Sequence, residues 1–103
     1  MSEILSARQI ERENLGEWRF GVDMLKARFE TGSFVRGTEF LVAITELAEA
    51  ANHHPDVVLT YPRVDISLTT HDAGGVTSKA VALAREISQL AGEKGIAAGE
   101  VGE

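Results

Sequence analysis

The chain contains no cysteine. That excludes a disulfide framework, a thiolate nucleophile and a cysteine-based zinc site. It also lacks any run close to the ~20 apolar residues that a membrane-spanning helix needs. Basic residues are in deficit, with ten Lys+Arg against sixteen Asp+Glu and a formal charge of −6. So acidic a surface repels phosphate backbones and anionic lipids, and neither nucleic acid nor a membrane is expected as a partner. The opening residues, Met1 to Leu5, show no basic segment followed by an apolar one, so no signal peptide is expected and the cytoplasm is the expected location. Proline is rare, with two residues, and aromatics make up only 6%. What is present is ordinary for a globular protein: 44% hydrophobic and 25% charged residues. A chain of 103 residues supports one core and one domain.

Ser6 stands three residues before Gln9, the spacing of a capping box, and predicts a short polar helix over Ser6–Leu15. Trp18, Phe20 and Val22 alternate with Glu17, Arg19 and Gly21, and Leu25, Ala27 and Phe29 alternate with Lys26, Arg28 and Glu30. This period of two predicts a hairpin, with the turn at Asp23-Met24 and Val22 opposite Leu25. Phe34, Gly37, Phe40, Leu41, Ile44, Leu47, Ala48 and Ala51 then form an amphipathic helical stripe, ended by Pro55. Val57–Tyr61 reads as a strand closed by Pro62, and Val64, Ile66 and Leu68 mark a second strand with one wet face. Gly74-Gly75 permits a tight turn, and Thr77 caps a last helix with its stripe at Ala80, Leu83, Ala84, Ile87, Leu90 and Ala91. The expected fold is α+β, in the order α-β-β-α-β-β-α: a four-stranded antiparallel sheet with helices on one face. The domain is expected over residues 1–91. The glycine-rich stretch 92–103 is expected to be a flexible tail, having little apolar area to offset chain entropy.

All three histidines fall at element ends: His53 and His54 where the long helix stops, and His71 where the last strand stops. On a regular helix, neighbouring side chains point about 100° apart, but a chain turning before Pro55 can direct both rings to one cleft. Imidazoles titrating near neutrality, without a thiol or a serine triad, point to proton transfer rather than covalent catalysis. A three-histidine zinc site is the weaker reading, since adjacent ligands suit one ion badly. Glu49, four residues before His53, can orient that ring on one helical turn.

The run Glu49-Ala50-Ala51-Asn52-His53-His54-Pro55, followed by Tyr61, Thr70-His71 and Gly74-Gly75-Val76-Thr77, resembles the pterin-4a-carbinolamine dehydratase family. Trp18 and the region from Phe29 to Phe40 are similar to it too, so the resemblance runs from about Trp18 to Ala91. It implies a four-stranded antiparallel sheet with three helices, assembled as a homodimer or homotetramer. It also implies loss of water from a 4a-hydroxytetrahydropterin to give the quinonoid dihydropterin, with neither metal nor redox cofactor. By that resemblance His53 and His71 are the acid/base pair, His54 holds the pterin, Glu49 orients, and Tyr61 helps to bind or orient the substrate.

One position departs from the family pattern. An aspartate is expected nine residues after the third histidine, where this chain has Ala80. Loss of a negative charge near the imidazoles lowers their proton affinity. The departure opens a second reading: a dehydratase-like protein acting as an assembly or regulatory partner of another protein. Relatives of that kind serve as a dimerisation cofactor of a transcription factor or as a Rubisco assembly factor of carboxysomes.

Overall fold

The computed structural model describes residues 3–101; the terminal pairs at each end, on which parts of the signal-peptide and tail expectations fall, lie outside the described residues. The first helix, α1 (Ala7–Arg12), is shorter than expected but has the anticipated capping box. Gln9 N–H donates to Ser6 Oγ at 3.1 Å, and Ser6 N–H donates to Gln9 Oε1 at 2.8 Å. Asn14 and Gly16, both at positive φ, turn the chain away, and Ile10 anchors the helix in the core.

Strands β1 (Arg19–Gly21) and β2 (Met24–Glu30) form the first hairpin, with Phe20 opposite Leu25 and Gly21 opposite Met24. The turn is therefore Val22-Asp23, not Asp23-Met24, and Val22 does not face Leu25. Both turn residues have positive φ, 50° and 63°, as the tight turn matching strand twist requires. Aspartate tolerates that conformation better than methionine does. The shift moves pairing by two positions, an even number, so every side chain keeps its face. Leu25, Ala27 and Phe29 stay buried, while Val22 is 90% exposed at the tip.

Helix α2 (Phe34–Ala51) is capped by Ser33, whose Oγ accepts from Arg36 N–H at 3.1 Å. At Gly37 it lies close against the sheet: a Cβ there would stand 2.7 Å from Leu59 Cδ1. Its end is set by Asn52 at φ 51°, three residues before the proline expected to stop it. Strands β3 (Asp56–Thr60) and β4 (Arg63–Leu68) make the second hairpin around Tyr61-Pro62. Thr77 caps α3 (Ser78–Glu93) as expected. Among the described residues no helix is long and apolar enough to cross a membrane.

The sheet runs β1-β2-β4-β3, antiparallel throughout. A fifth strand, β5 (Ala97–Gly99), pairs with β2 at Arg28–Glu30 on the border where β1 pairs with Met24–Lys26. The sheet is thus four positions wide but has five strands. The stretch beyond Gly92, expected to be flexible, is ordered as far as β5. Gly95 at φ 68° lets Ile96 N–H bond Ala91 C=O at 2.8 Å, a Schellman ending. That turn buries Ile96 to 6% exposure, and Arg36 Nη2 donates to the Lys94 and Gly95 carbonyls at 2.7 and 3.2 Å. A single isoleucine and the unpaired half of β2 give the segment its place despite its small residues.

One core holds the fold together, formed by the inward residues of β2 and β4 with Phe40 and Ile44 of α2 and Leu83, Ala84 and Ile87 of α3. Phe29 sits at its centre, edge-on to Trp18 (6.1 Å between ring centres) and to Phe40 (5.4 Å). The opposite sheet face carries Arg28 Nε donating to Asp65 Oδ1 at 2.6 Å, a bond that raises the Arg28 pKa above its ordinary value.

Candidate active site

Two chain turns assemble the site. At the first, left-handed Asn52 ends α2 and His53 N–H bonds back to Ala48 C=O at 3.0 Å. This Schellman-type return carries His53 toward the sheet, where it is buried at 7% exposure. Its Nε2 lies 2.8 Å from the Thr69 carbonyl. A carbonyl only accepts, so Nε2 carries a proton, and whenever the ring is neutral its lone pair lies on Nδ1. The Thr69 hydroxyl donates in turn to the Asp23 carbonyl at 2.8 Å, joining the first hairpin tip to this backbone.

The same turn separates the paired histidines. His54 stays exposed, with Nε2 2.7 Å from Glu49 Oε2. Glu49 thus orients His54 and not, as the helical spacing suggested, His53. The left-handed residue at 52 interrupts the helix, so position 53 no longer lies one turn above position 49.

The second turn follows β4. The Thr70 carbonyl accepts from Ala73 N–H at 3.0 Å and Gly74 N–H at 2.9 Å, and Thr70 N–H donates to the Gly75 carbonyl at 2.9 Å. Gly74 at φ 82° lets the loop close this tightly. Thr70 Oγ1 lies 2.6 Å from Thr77 Oγ1, in a buried contact that ties the loop to the start of α3. His71 and Asp72 are carried on this braced loop, beside Lys79 in the first turn of α3.

The result is a cavity of about 320 Å³ lined by Asn52, His53, His54, Thr69, Thr70, His71, Asp72 and Lys79. Three imidazoles from two distant stretches of chain meet there, one fixed by a backbone carbonyl and two open to solvent. Such a group can accept a proton at one atom of a ligand and return one at another. Among the described residues no three histidine or carboxylate side chains converge to hold a metal ion. A second, more apolar cavity of about 240 Å³ lies between α2 and β3, with His54 as a shared wall.

Tyr61 is not brought to this cavity. It is 68% exposed at the β3–β4 turn, the length of β3 away, about 14–17 Å at the rise of an extended strand. Ala80 does not line the cavity either; it is fully buried in the core. Sequence reasoning missed Asn52, Thr69, Asp72 and Lys79. Asn52 carried a readable signal, since asparagine just before the end of a helical stripe is a common left-handed terminator. Asp72 carried only its adjacency to His71.

Comparison with known proteins identifies the family. The model of the family described as pterin 4 alpha carbinolamine dehydratase matches residues 3–90. A relative from Aquifex aeolicus is 41% identical over 92 residues, covering 86% of this chain and 92% of its own. One from Thermomicrobium roseum is 42% identical over 74 residues, covering 72% and 80%. Both carry the name pterin-4-alpha-carbinolamine dehydratase as a provisional assignment. Among solved structures, a transcriptional coactivator/pterin dehydratase from Brucella melitensis superposes with a TM-score of 0.81 at 27% identity, covering 86% of this chain and 99% of its own. A pterin dehydratase-like protein identified as a RuBisCO assembly factor in the alpha-carboxysome superposes at 0.59 with 29% identity, covering 73% and 87%. With most of its length matched and its histidines at one cavity, the chain belongs to the pterin 4 alpha carbinolamine dehydratase family.

Proposed function

We propose that the protein is a 4a-hydroxytetrahydropterin dehydratase, releasing water to give the quinonoid dihydropterin. The observation that carries this reading is the meeting of His53, His54 and His71 in one cavity of a fold shared with the family. The reaction needs a proton delivered to the departing 4a-hydroxyl and another removed from N5, so no electrons are exchanged with an outside partner. In this reading His53 and His71 are the acid/base pair. The Thr69 carbonyl fixes the His53 proton on Nε2 and leaves Nδ1 to exchange one with substrate. His54, steadied by Glu49, holds the pterin. Tyr61, exposed at the far turn, has no part in this reading within one chain.

The test is decay of a 4a-hydroxytetrahydropterin against a buffer blank, because the compound also loses water unaided. The purified protein is expected to accelerate decay, and His53→Ala and His71→Ala each to lose about 10²-fold or more, the scale of general acid–base catalysis. Decay at the blank rate for all three proteins overturns the enzyme reading.

A second reading has its own support. The likeness to a RuBisCO assembly factor and the absence of a carboxylate at Ala80 both favour a protein that keeps the fold and acts on a protein partner. In either reading the protein works in the cytoplasm as a homodimer or homotetramer. Exposed apolar residues on α2, Phe34, Val35 and Val42, support self-association, which sedimentation of the purified chain tests.

A further inference from the structure

We infer that the tip of the first hairpin holds His53 in place through the Thr69 hydroxyl, which makes Thr69 a positioning residue for the reaction. The effect on rate rests on the dehydratase reading above; the geometry does not. Pairing of β2 with β4 ends at Leu25–Leu68, and pairing of β3 with β4 ends at Asp56–Ser67. Thr69 therefore lies beyond the last paired residue of β4 toward both neighbours. Two bonds involving side chains take over where the ladder stops. The Thr69 carbonyl accepts from His53 Nε2 at 2.8 Å, and the Thr69 hydroxyl donates to the Asp23 carbonyl at 2.8 Å.

Asp23 is the second residue of the Val22-Asp23 turn and does not line the histidine cavity. Its carbonyl can only accept, so the hydroxyl proton of Thr69 is committed to it. From Thr70 onward the loop is held by its own bonds, Thr70 N–H to the Gly75 carbonyl and Thr70 Oγ1 to Thr77 Oγ1. The peptide at position 69 is left between the end of the ladder and the start of that closure. Without a tie its carbonyl can swing, and His53 Nε2 swings with it. A hydrogen bond from an already folded turn restricts that motion before any ligand arrives. The bond made by one ring nitrogen also decides which nitrogen keeps the proton of a neutral imidazole. A loosened carbonyl therefore blurs both the aim of the ring and the place of its proton, and a small misplacement of a reacting group lowers rate. Threonine fits the position, since its branched side chain is stiff on extended backbone and still carries a donor.

Two substitutions in the full chain separate the hydroxyl from the shape of the side chain. Thr69→Val keeps the branch and removes the donor, whereas Thr69→Ser keeps the donor. Solvent exchange of the His53 Nε2 proton, followed by NMR of ¹⁵N-labelled protein without substrate, is expected to quicken by about 2- to 10-fold in Thr69→Val, the range that one neutral hydrogen bond controls. Thr69→Ser is expected to return it to the native rate, and the same spectra show whether each variant is folded. In decay of a 4a-hydroxytetrahydropterin, corrected for the blank, Thr69→Val is expected to lower kcat by about the same factor. KM is expected to stay at the native value, because the missing group touches Asp23 and not the ligand. Native exchange in Thr69→Val, or quickened exchange that serine does not reverse, overturns the tie. Quickened exchange with native kcat overturns the positioning role and leaves the dehydratase reading standing. A native chain that is no faster than the blank overturns the dehydratase reading and the positioning role with it; the exchange measurement, which needs no substrate, then upholds or overturns the tie by itself.

Discussion

Asn52 decides more of the site than any histidine does. By taking the left-handed conformation it releases His53 from the helical register, buries it beneath Thr69 and leaves His54 to Glu49. Asparagine occupies this region more readily than other non-glycine residues, and alanine pays the steric cost in full. Asn52→Ala is therefore expected to destabilise the fold by roughly 1 kcal/mol, a fall of about 4–8 °C in Tm for a domain near this size. Asn52→Gly should keep Tm close to the parent value. Nitrogen-detected NMR adds a second measure: the His53 Nε2 proton, shielded on a carbonyl, should exchange faster with solvent in the alanine variant and not in the glycine variant.

At the scale of elements, the first hairpin combines a good pattern with a poor turn residue. Val22 is β-branched yet sits at φ 50°, a conformation that costs such side chains about 1–2 kcal/mol. Its exposure means that little packing is lost on substitution. Val22→Asn should raise stability by about 0.5–1 kcal/mol, and a lower melting temperature would show that the turn is not strained there. The same hairpin shows where sequence reading works and where it stops. Alternating Leu25, Ala27 and Phe29 identified the strand and its buried face. They could not locate the turn, because a slip of two residues leaves alternation untouched. The candidate site divides likewise: helix and strand ends placed the three histidines together, but the partner of Glu49 depended on one backbone angle at Asn52. Asp72 and Lys79 depended on a loop whose closure by Thr70 and Thr77 no periodicity records.

Across the whole molecule, the last strand shows how one side chain outweighs composition. The chain after Gly92 is rich in glycine and alanine, yet Ile96 enters the core shared by Trp18, Phe29 and Ile87. Ile96→Ala is expected to cost roughly 2–5 kcal/mol, as buried isoleucines do. Denaturant titration reads this directly; a flexible tail would show no change. Arg36 spans the carbonyls at the end of α3 and connects this closure to the start of α2.

The five strands also govern how the molecule can meet copies of itself. On one border β1 and β5 are three residues each and leave a break opposite Ala27, so no long ladder is offered to another chain. On the other, β3 presents five residues in sequence with a backbone flank that is unpaired among the described residues. Short, interrupted borders are poor templates for strand addition, whereas a continuous one is competent. A sheet with a single adhesive side can join one twin across a two-fold axis, and both adhesive sides are then consumed. Growth by strand addition at β3 alone would therefore stop at two.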